Sequence, residues 1–111
     1  MDYIINEHTR FDVIKIKGRI DSYSAPILEK ALLSRIDNGR SKFLIDMEEV
    51  SFISSSGILI FVNQQKQLAN QEKGKIAFLS ISNLLLSSFQ LAGFDRLFEF
   101  FENQDAASRY F

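Results

Sequence analysis

Short apolar runs and amphipathic helical segments alternate along almost the whole chain, and that alternation limits the folds open to it. Tyr3 to His8 and Phe11 to Lys17 read as two strands. In the second, Phe11, Val13 and the Ile14/Ile16 pair interleave with Lys15 and Lys17, close to a period of two. Only Thr9-Arg10 lies between them, a spacing short enough for a hairpin. Gly18 is expected to break the second strand. Ser24, with Pro26 just inside, marks a helix start, because Ser caps free amides and Pro tolerates the first turn. Leu28, Ala31, Leu32 and Ile36 then recur at helical spacing, and Asn38-Gly39 supplies the stop.

The remainder repeats the theme. Lys42 to Met47 holds Phe43-Leu44-Ile45, a continuous apolar run suited to a strand covered on both faces. Glu48-Glu49 is expected to turn the chain, and Val50 to Ile53 then leads into Ser54-Ser55-Ser56-Gly57. A helix follows, with Ile58, Phe61, Val62, Gln65, Leu68 and Ala69 on one face. Asn63, Gln64, Lys66, Gln67 and Asn70 form the other face, and Lys73-Gly74 ends the helix. Lys75 to Leu79 is a further strand, and Ser82 caps a helix that runs to Gly93. Leu97 to Phe101 reads as a last strand and Asn103 to Tyr110 as a short terminal helix. The order β-β-α-β-α-β-α-β-α requires crossover connections and therefore parallel strand pairs. The fold class expected is α/β. Residues 1–111 form a single small domain with a mixed, mostly parallel sheet opened by an N-terminal hairpin, and about four helices.

Composition narrows the function. Lys plus Arg number 13 against 14 Asp plus Glu, a net charge of -1, so the concentrated basic surface needed for nucleic acid or an anionic membrane is missing. Cys is 0, which removes disulfides, zinc-thiolate sites and thiol nucleophiles and suits a reducing compartment. Met1-Asp2-Tyr3-Ile4 lacks the layout of a signal peptide, and no apolar run approaches the ~20 residues that span a bilayer. A cytoplasmic location without membrane insertion is expected. With Trp at 0 and Phe at 11, aromatic packing falls to Phe.

Catalytic constellations are absent from the pattern. His8 is the one His and has neither a nucleophile nor fellow metal ligands at a recognisable spacing. Asp46, Glu48, Glu49 and Asp21 read as loop charges, with Asp21 placed to bond turn amides. Neither a phosphate-binding Gly loop nor a hydrolase nucleophile elbow occurs. No catalytic residue, metal or cofactor is expected, and the chain is not read as an enzyme.

The serine cluster is the odd feature. Ser54, Ser55 and Ser56 sit where a strand turns into a helix and the first amides are free. Three consecutive serines serve as alternative caps. They also offer a modifiable hydroxyl. A phosphate there gains from the helix dipole, leaves the fold intact and spoils an apolar surface beside it.

At this turn the sequence resembles a known family. Leu44-Ile45-Asp46-Met47-Glu48-Glu49-Val50-Ser51-Phe52-Ile53-Ser54-Ser55-Ser56-Gly57-Ile58 is similar to the signature of the STAS domain, the bacterial anti-sigma-factor antagonists. Gly18-Arg19-Ile20-Asp21 resembles the family's segment before its first helix, and Leu91-Ala92-Gly93-Phe94 with Leu97-Phe98 its late helix-to-strand passage. The resemblance implies an antagonist that binds an anti-sigma factor, itself a serine kinase, and so releases a sigma factor. The kinase inactivates such an antagonist by phosphorylating a serine, and a metal-dependent Ser/Thr phosphatase restores it. By position the phosphoacceptor is Ser55, with Ser56 and Gly57 completing the motif and Asp21 in the loop beside it. The motif's Asp is Ser54 here, which removes a charge and a strong acceptor from the helix mouth; Ser54 and Ser56 remain alternative acceptors. The expected contact surface comprises Asp21, Ser54, Ser56, Gly57 and Ile58, with Asn63, Gln64 and Gln67 adding uncharged hydrogen-bonding groups. An alternative reading is a non-switching scaffold or sensor subunit of a larger signalling or transport complex, with Phe98, Phe100 or Phe111 building an oligomer.

Overall fold

Phe43, Leu44 and Ile45 are all wholly buried, so the strand that carries them is covered on both faces and lies at the centre of the sheet. The computed structural model, which describes residues 1–70 and 74–111, places it there. The elements are β1 (Asp2–Glu7), β2 (Asp12–Ile20), α1 (Ala25–Asp37), β3 (Lys42–Ile53), α2 (Ser55–Leu68), β4 (Lys75–Leu79), α3 (Asn83–Ala92), a 3-10 turn (Asp95–Leu97), β5 (Glu99–Phe101) and α4 (Gln104–Tyr110). The sheet runs in sequence order from β1 to β5. β1 is antiparallel to β2, while β2–β3, β3–β4 and β4–β5 are parallel. The α/β architecture follows the expected order throughout.

Alternate residues of a strand face opposite sides of the sheet, and the core divides accordingly. Ile14, Ile16, Ile45, Met47, Ile76 and Phe78 pack with Leu28 and Leu32 of α1, Phe61 and Val62 of α2, and Leu85 and Phe89 of α3. Val13, Leu44, Ala77 and Leu79 face the other way, under Ala107 of α4 with Phe101 and Phe111. Three helices therefore cover one face and α4 part of the other. Phe78 anchors the first layer, with Phe61, Phe89 and Phe98 edge-on at 5.0, 5.1 and 5.0 Å and Phe100 stacked at 5.5 Å. Phe98 and Phe100 thus belong to the core, and Phe111 stacks on Phe11 at 5.1 Å. Of the three, Phe98 is buried, while Phe100 and Phe111 are partly exposed.

Several local expectations are corrected. Gly18 does not end β2. Its φ of +90° lets the strand continue to Ile20 while the register with β3 shifts on either side. Glu48-Glu49 does not turn the chain either. β3 is continuous to Ile53, and these residues fall at a bulge where Asp46 Oδ1 accepts the Glu48 N–H at 3.1 Å. Glu49 is held there by Lys15 at 3.2 Å and Lys17 at 3.8 Å. α2 ends at Leu68, Ala69 is exposed rather than buried, and Lys73 lies outside the described residues. The 3-10 turn takes Leu97, so β5 begins later than its apolar pattern suggested.

Candidate functional site

Parallel strands β2 and β3 end side by side, and both loops of interest leave from those ends. Ser54 departs the sheet with φ -85° and ψ 169° while its N–H still donates to the Ile20 carbonyl at 2.8 Å. Its hydroxyl accepts the Gly57 N–H at 3.1 Å, which makes it the N-cap of α2. A neutral hydroxyl therefore caps α2. Gly57 is buried because α2 starts so close to the sheet. A Cβ there would lie 2.7 Å from Ile20 Cγ2 and 2.9 Å from Ile53 Cγ1. Ser55 and Ser56, in the first turn, are exposed, and among the described residues the Ser55 hydroxyl has no hydrogen-bond partner.

Asp21 follows Ile20 directly, so the same close approach sets its loop beside the serine turn. Its Oδ1 accepts the N–H groups of Tyr23 at 3.1 Å and Ser24 at 2.9 Å, and the Ser24 hydroxyl at 3.0 Å. The Ser24 N–H, then the Ser24 hydroxyl, hold the carboxyl below the usual carboxylate range. Ser24 is not the side-chain cap its sequence position suggested. It is buried, with its Oγ turned back toward the Arg19 carbonyl at 3.0 Å, and Asp21 orders the turn into α1 instead.

Beside Ser55 lies a groove of about 510 Å³ between the start of α2 and the end of α3, lined by Phe52, Ser54, Ser55, Ile58, Ser88 and Leu91 among others. Its lining is uncharged, with Leu91 89% exposed on the α3 side; Leu84, two turns earlier on α3 and outside the groove, is 73% exposed. α3 carries no charged residue, and the hydroxyls of Ser87 and Ser88 both donate back to the Leu84 carbonyl, at 2.6 and 3.5 Å. The helix thus shows the outside an uncharged surface whose hydroxyls are already satisfied. The Arg19 guanidinium lies 4.2 Å from the centre of the Phe52 ring, over one of the groove's lining residues.

The serine turn, Gly57, Ile58 and the Asp21 loop are brought together as the sequence suggested. Ile58, however, is only 3% exposed and forms the groove's floor. Asn63 is exposed further along α2, as is Gln67. Gln64 is not on that polar face. It is 4% exposed, and its Oε1 has no partner among the described residues. Gly57, Phe61, Gln64 and Leu68 recur at helical spacing, so Gln64 shares a buried stripe despite its polarity. Gln65, placed on the apolar face, is half-buried and bonds across to β4, accepting the Ile76 N–H at 2.8 Å. The exposed leucines of α3 were not singled out from sequence, although Leu84-Leu85-Leu86 is one Leu more than a single buried stripe needs.

Among the described residues no helix is long and apolar enough to cross a membrane, and no group of acidic or His side chains is arranged to hold a metal ion. Comparison with known proteins places the chain. The STAS domain family model matches residues 3–107. An anti-sigma-B factor antagonist of Staphylococcus aureus is 30% identical over 84 residues, covering 76% of this chain and 77% of the relative. The anti-sigma factor antagonist SpoIIAA in its unphosphorylated form superposes with a TM-score of 0.83 at 20% identity, covering 98% of this chain and 96% of that one. The Bacillus SpoIIAA in its phosphorylated form superposes with a TM-score of 0.76 at 20% identity, over 99% and 100%. The chain belongs to the STAS domain family, with anti-sigma-factor antagonists among its relatives.

Proposed function

We propose that this chain is a phosphorylation-switched anti-sigma-factor antagonist. It binds an anti-sigma factor that is also a serine kinase through the Ser54–Gly57 turn, the Asp21 loop and the groove rimmed by α3, and so releases a sigma factor. Phosphorylation of Ser55 switches binding off, and a metal-dependent Ser/Thr phosphatase restores it. One observation carries the reading: Ser55 presents an unbonded hydroxyl at the lip of an uncharged groove. A phosphate brings about two negative charges, which the first amides of α2 tolerate and an apolar contact does not. The fold is kept and docking is lost. The name of the Staphylococcus aureus relative and the fold shared with SpoIIAA support the same reading.

The test is titration of the anti-sigma factor from the source cell with wild type, Ser55→Ala and Ser55→Asp. Ser55→Ala is expected to bind like wild type and to take up no phosphate from ATP, while Ser55→Asp binds roughly 100-fold more weakly. Equal affinity of wild type and Ser55→Asp would favour the second reading, a scaffold indifferent to phosphate. Ser54, which stands where the family pattern has Asp, is the observation on that side.

A further inference from the structure

We propose that β1 is a homodimerisation edge, at which two copies of this chain join their sheets into one. β1 is an outer strand of the sheet. The His8 N–H donates to the Phe11 carbonyl at 2.9 Å, so these two form a hydrogen-bonded pair. Such pairs alternate with non-bonded ones along an antiparallel ladder. With β1 in unbroken register against β2, Asn6, Ile4 and Asp2 point their main-chain groups at β2. Tyr3, Ile5 and Glu7 point theirs outward. Asp2–Glu7 contains no Lys, no Pro and no bulge, and its two charges, Asp2 and Glu7, stand at the strand's ends, which leaves Tyr3 to Asn6 an uncharged edge. Ile4 is 56% exposed on one side of the edge. On the other, Tyr3 and Ile5 line a groove of about 490 Å³ with Ile27 and Ala31 of α1.

The outward groups select the register, and side-chain chemistry selects the occupant. A twofold axis through Ile4 sets Ile4 against Ile4 of the second copy, Tyr3 against Ile5, and Asp2 against Asn6. Tyr3 and Ile5 then exchange main-chain bonds in both directions, and the ring of Tyr3 from the second copy lies along the groove. An axis through Ile5 would instead set Ile4 against Asn6 and Tyr3 against Glu7. An axis between Ile4 and Ile5 would oppose the carboxylates of Asp2 and Glu7 and face inward groups to outward ones. The strand therefore complements itself in one register. Pairing leaves the serine turn free, because that turn follows β3, two strands away.

Sedimentation equilibrium of the full chain is expected to show a concentration-dependent rise toward twice the monomer mass. Tyr3→Pro deletes an outward N–H and spares the β1–β2 ladder, so it should give a folded monomer by circular dichroism. Since the chain contains no Cys, Ile4→Cys adds a lone thiol at the axis, where paired Cα atoms lie about 4.5 Å apart, within disulfide reach. Mild oxidation should cross-link Ile4→Cys far faster than Asn6→Cys, whose thiol would face Asp2. A wild type that stays monomeric, or a dimer that survives in Tyr3→Pro, would overturn the proposal, as would equal cross-linking of the two Cys variants. These readouts use no anti-sigma factor, so they stand or fall separately from the antagonist reading.

Discussion

Ser54 donates its main-chain N–H to the carbonyl oxygen of Ile20 at 2.8 Å, so the turn carrying Ser55 and the loop carrying Asp21 leave the sheet from hydrogen-bonded neighbours. This bond extends the β2–β3 pairing one step beyond the Ile20–Ile53 pair. It fixes the spacing of two segments that are more than thirty residues apart in sequence. The surface these two segments form is therefore positioned by the sheet rather than by the loops themselves, as at other parallel strand ends.

Gly57→Ala tests that positioning. The added methyl meets Ile20 Cγ2 at 2.7 Å, Ile53 Cγ1 at 2.9 Å and the Ile20 carbonyl oxygen at 3.2 Å, and both isoleucines are packed in the core. Overpacking costs about 1–3 kcal/mol, against about 1 kcal/mol gained in helix propensity. The urea midpoint is expected to fall with its slope unchanged. A rise would show that α2 can lift off the sheet freely.

Ser54→Ala removes the acceptor of the Gly57 N–H and is expected to cost about 1 kcal/mol. Ser54→Asp keeps an acceptor and adds an anion at the helix N-terminus, worth about 0.3–1 kcal/mol. Thermal midpoints should rank Asp above Ser above Ala, with the first gap narrowing in salt. An Asp variant no more stable than wild type at low ionic strength would contradict this account of the cap.

Asp21 links this site to pH. Its carboxyl is held below the ordinary range by the Ser24 N–H and then the Ser24 hydroxyl. A group depressed in the folded state contributes stability above its unfolded pKa, about 3.9, and that contribution disappears as pH falls through the folded value. Denaturant melts of Asp21→Asn should differ most from wild type near neutral pH and converge in acid. A difference that stays constant with pH would mean the carboxylate charge is not what orders the turn.

Far from the site, Asp12 is wholly buried and takes Arg35 Nε at 2.7 Å and Arg40 Nε at 3.0 Å, clamping the hairpin to the end of α1. Asp12→Ala removes the acceptor that Arg35 and Arg40 share, leaving Arg35 its bond to Glu7 and Arg40 its bond to the His8 carbonyl, and is expected to cost about 3 kcal/mol. Adding Arg35→Met and Arg40→Leu should recover much of that loss. A cost of under about 1 kcal/mol for Asp12→Ala would show that water replaces the carboxylate.

What the sequence by itself determined was the order and kind of the elements and most of their ends. Apolar spacing, Ser54 capping α2, Ser82 capping α3 through the Leu85 N–H and Gly93 closing α3 with φ +80° all act within a few residues. The serine turn was legible for the same reason. What only the tertiary structure decided depended on neighbours far along the chain. Glu48-Glu49 reads as a turn locally, yet pairing with β2 keeps β3 continuous and absorbs the extra residue in a bulge. Gln64 reads as surface, but α2 turns that stripe inward. Packed on one face of the sheet, α3 buries a single stripe, Leu85 and Phe89, and leaves Leu84 and Leu91 outside. Local chemistry sets which element forms, while the choice of face belongs to whatever packs against it.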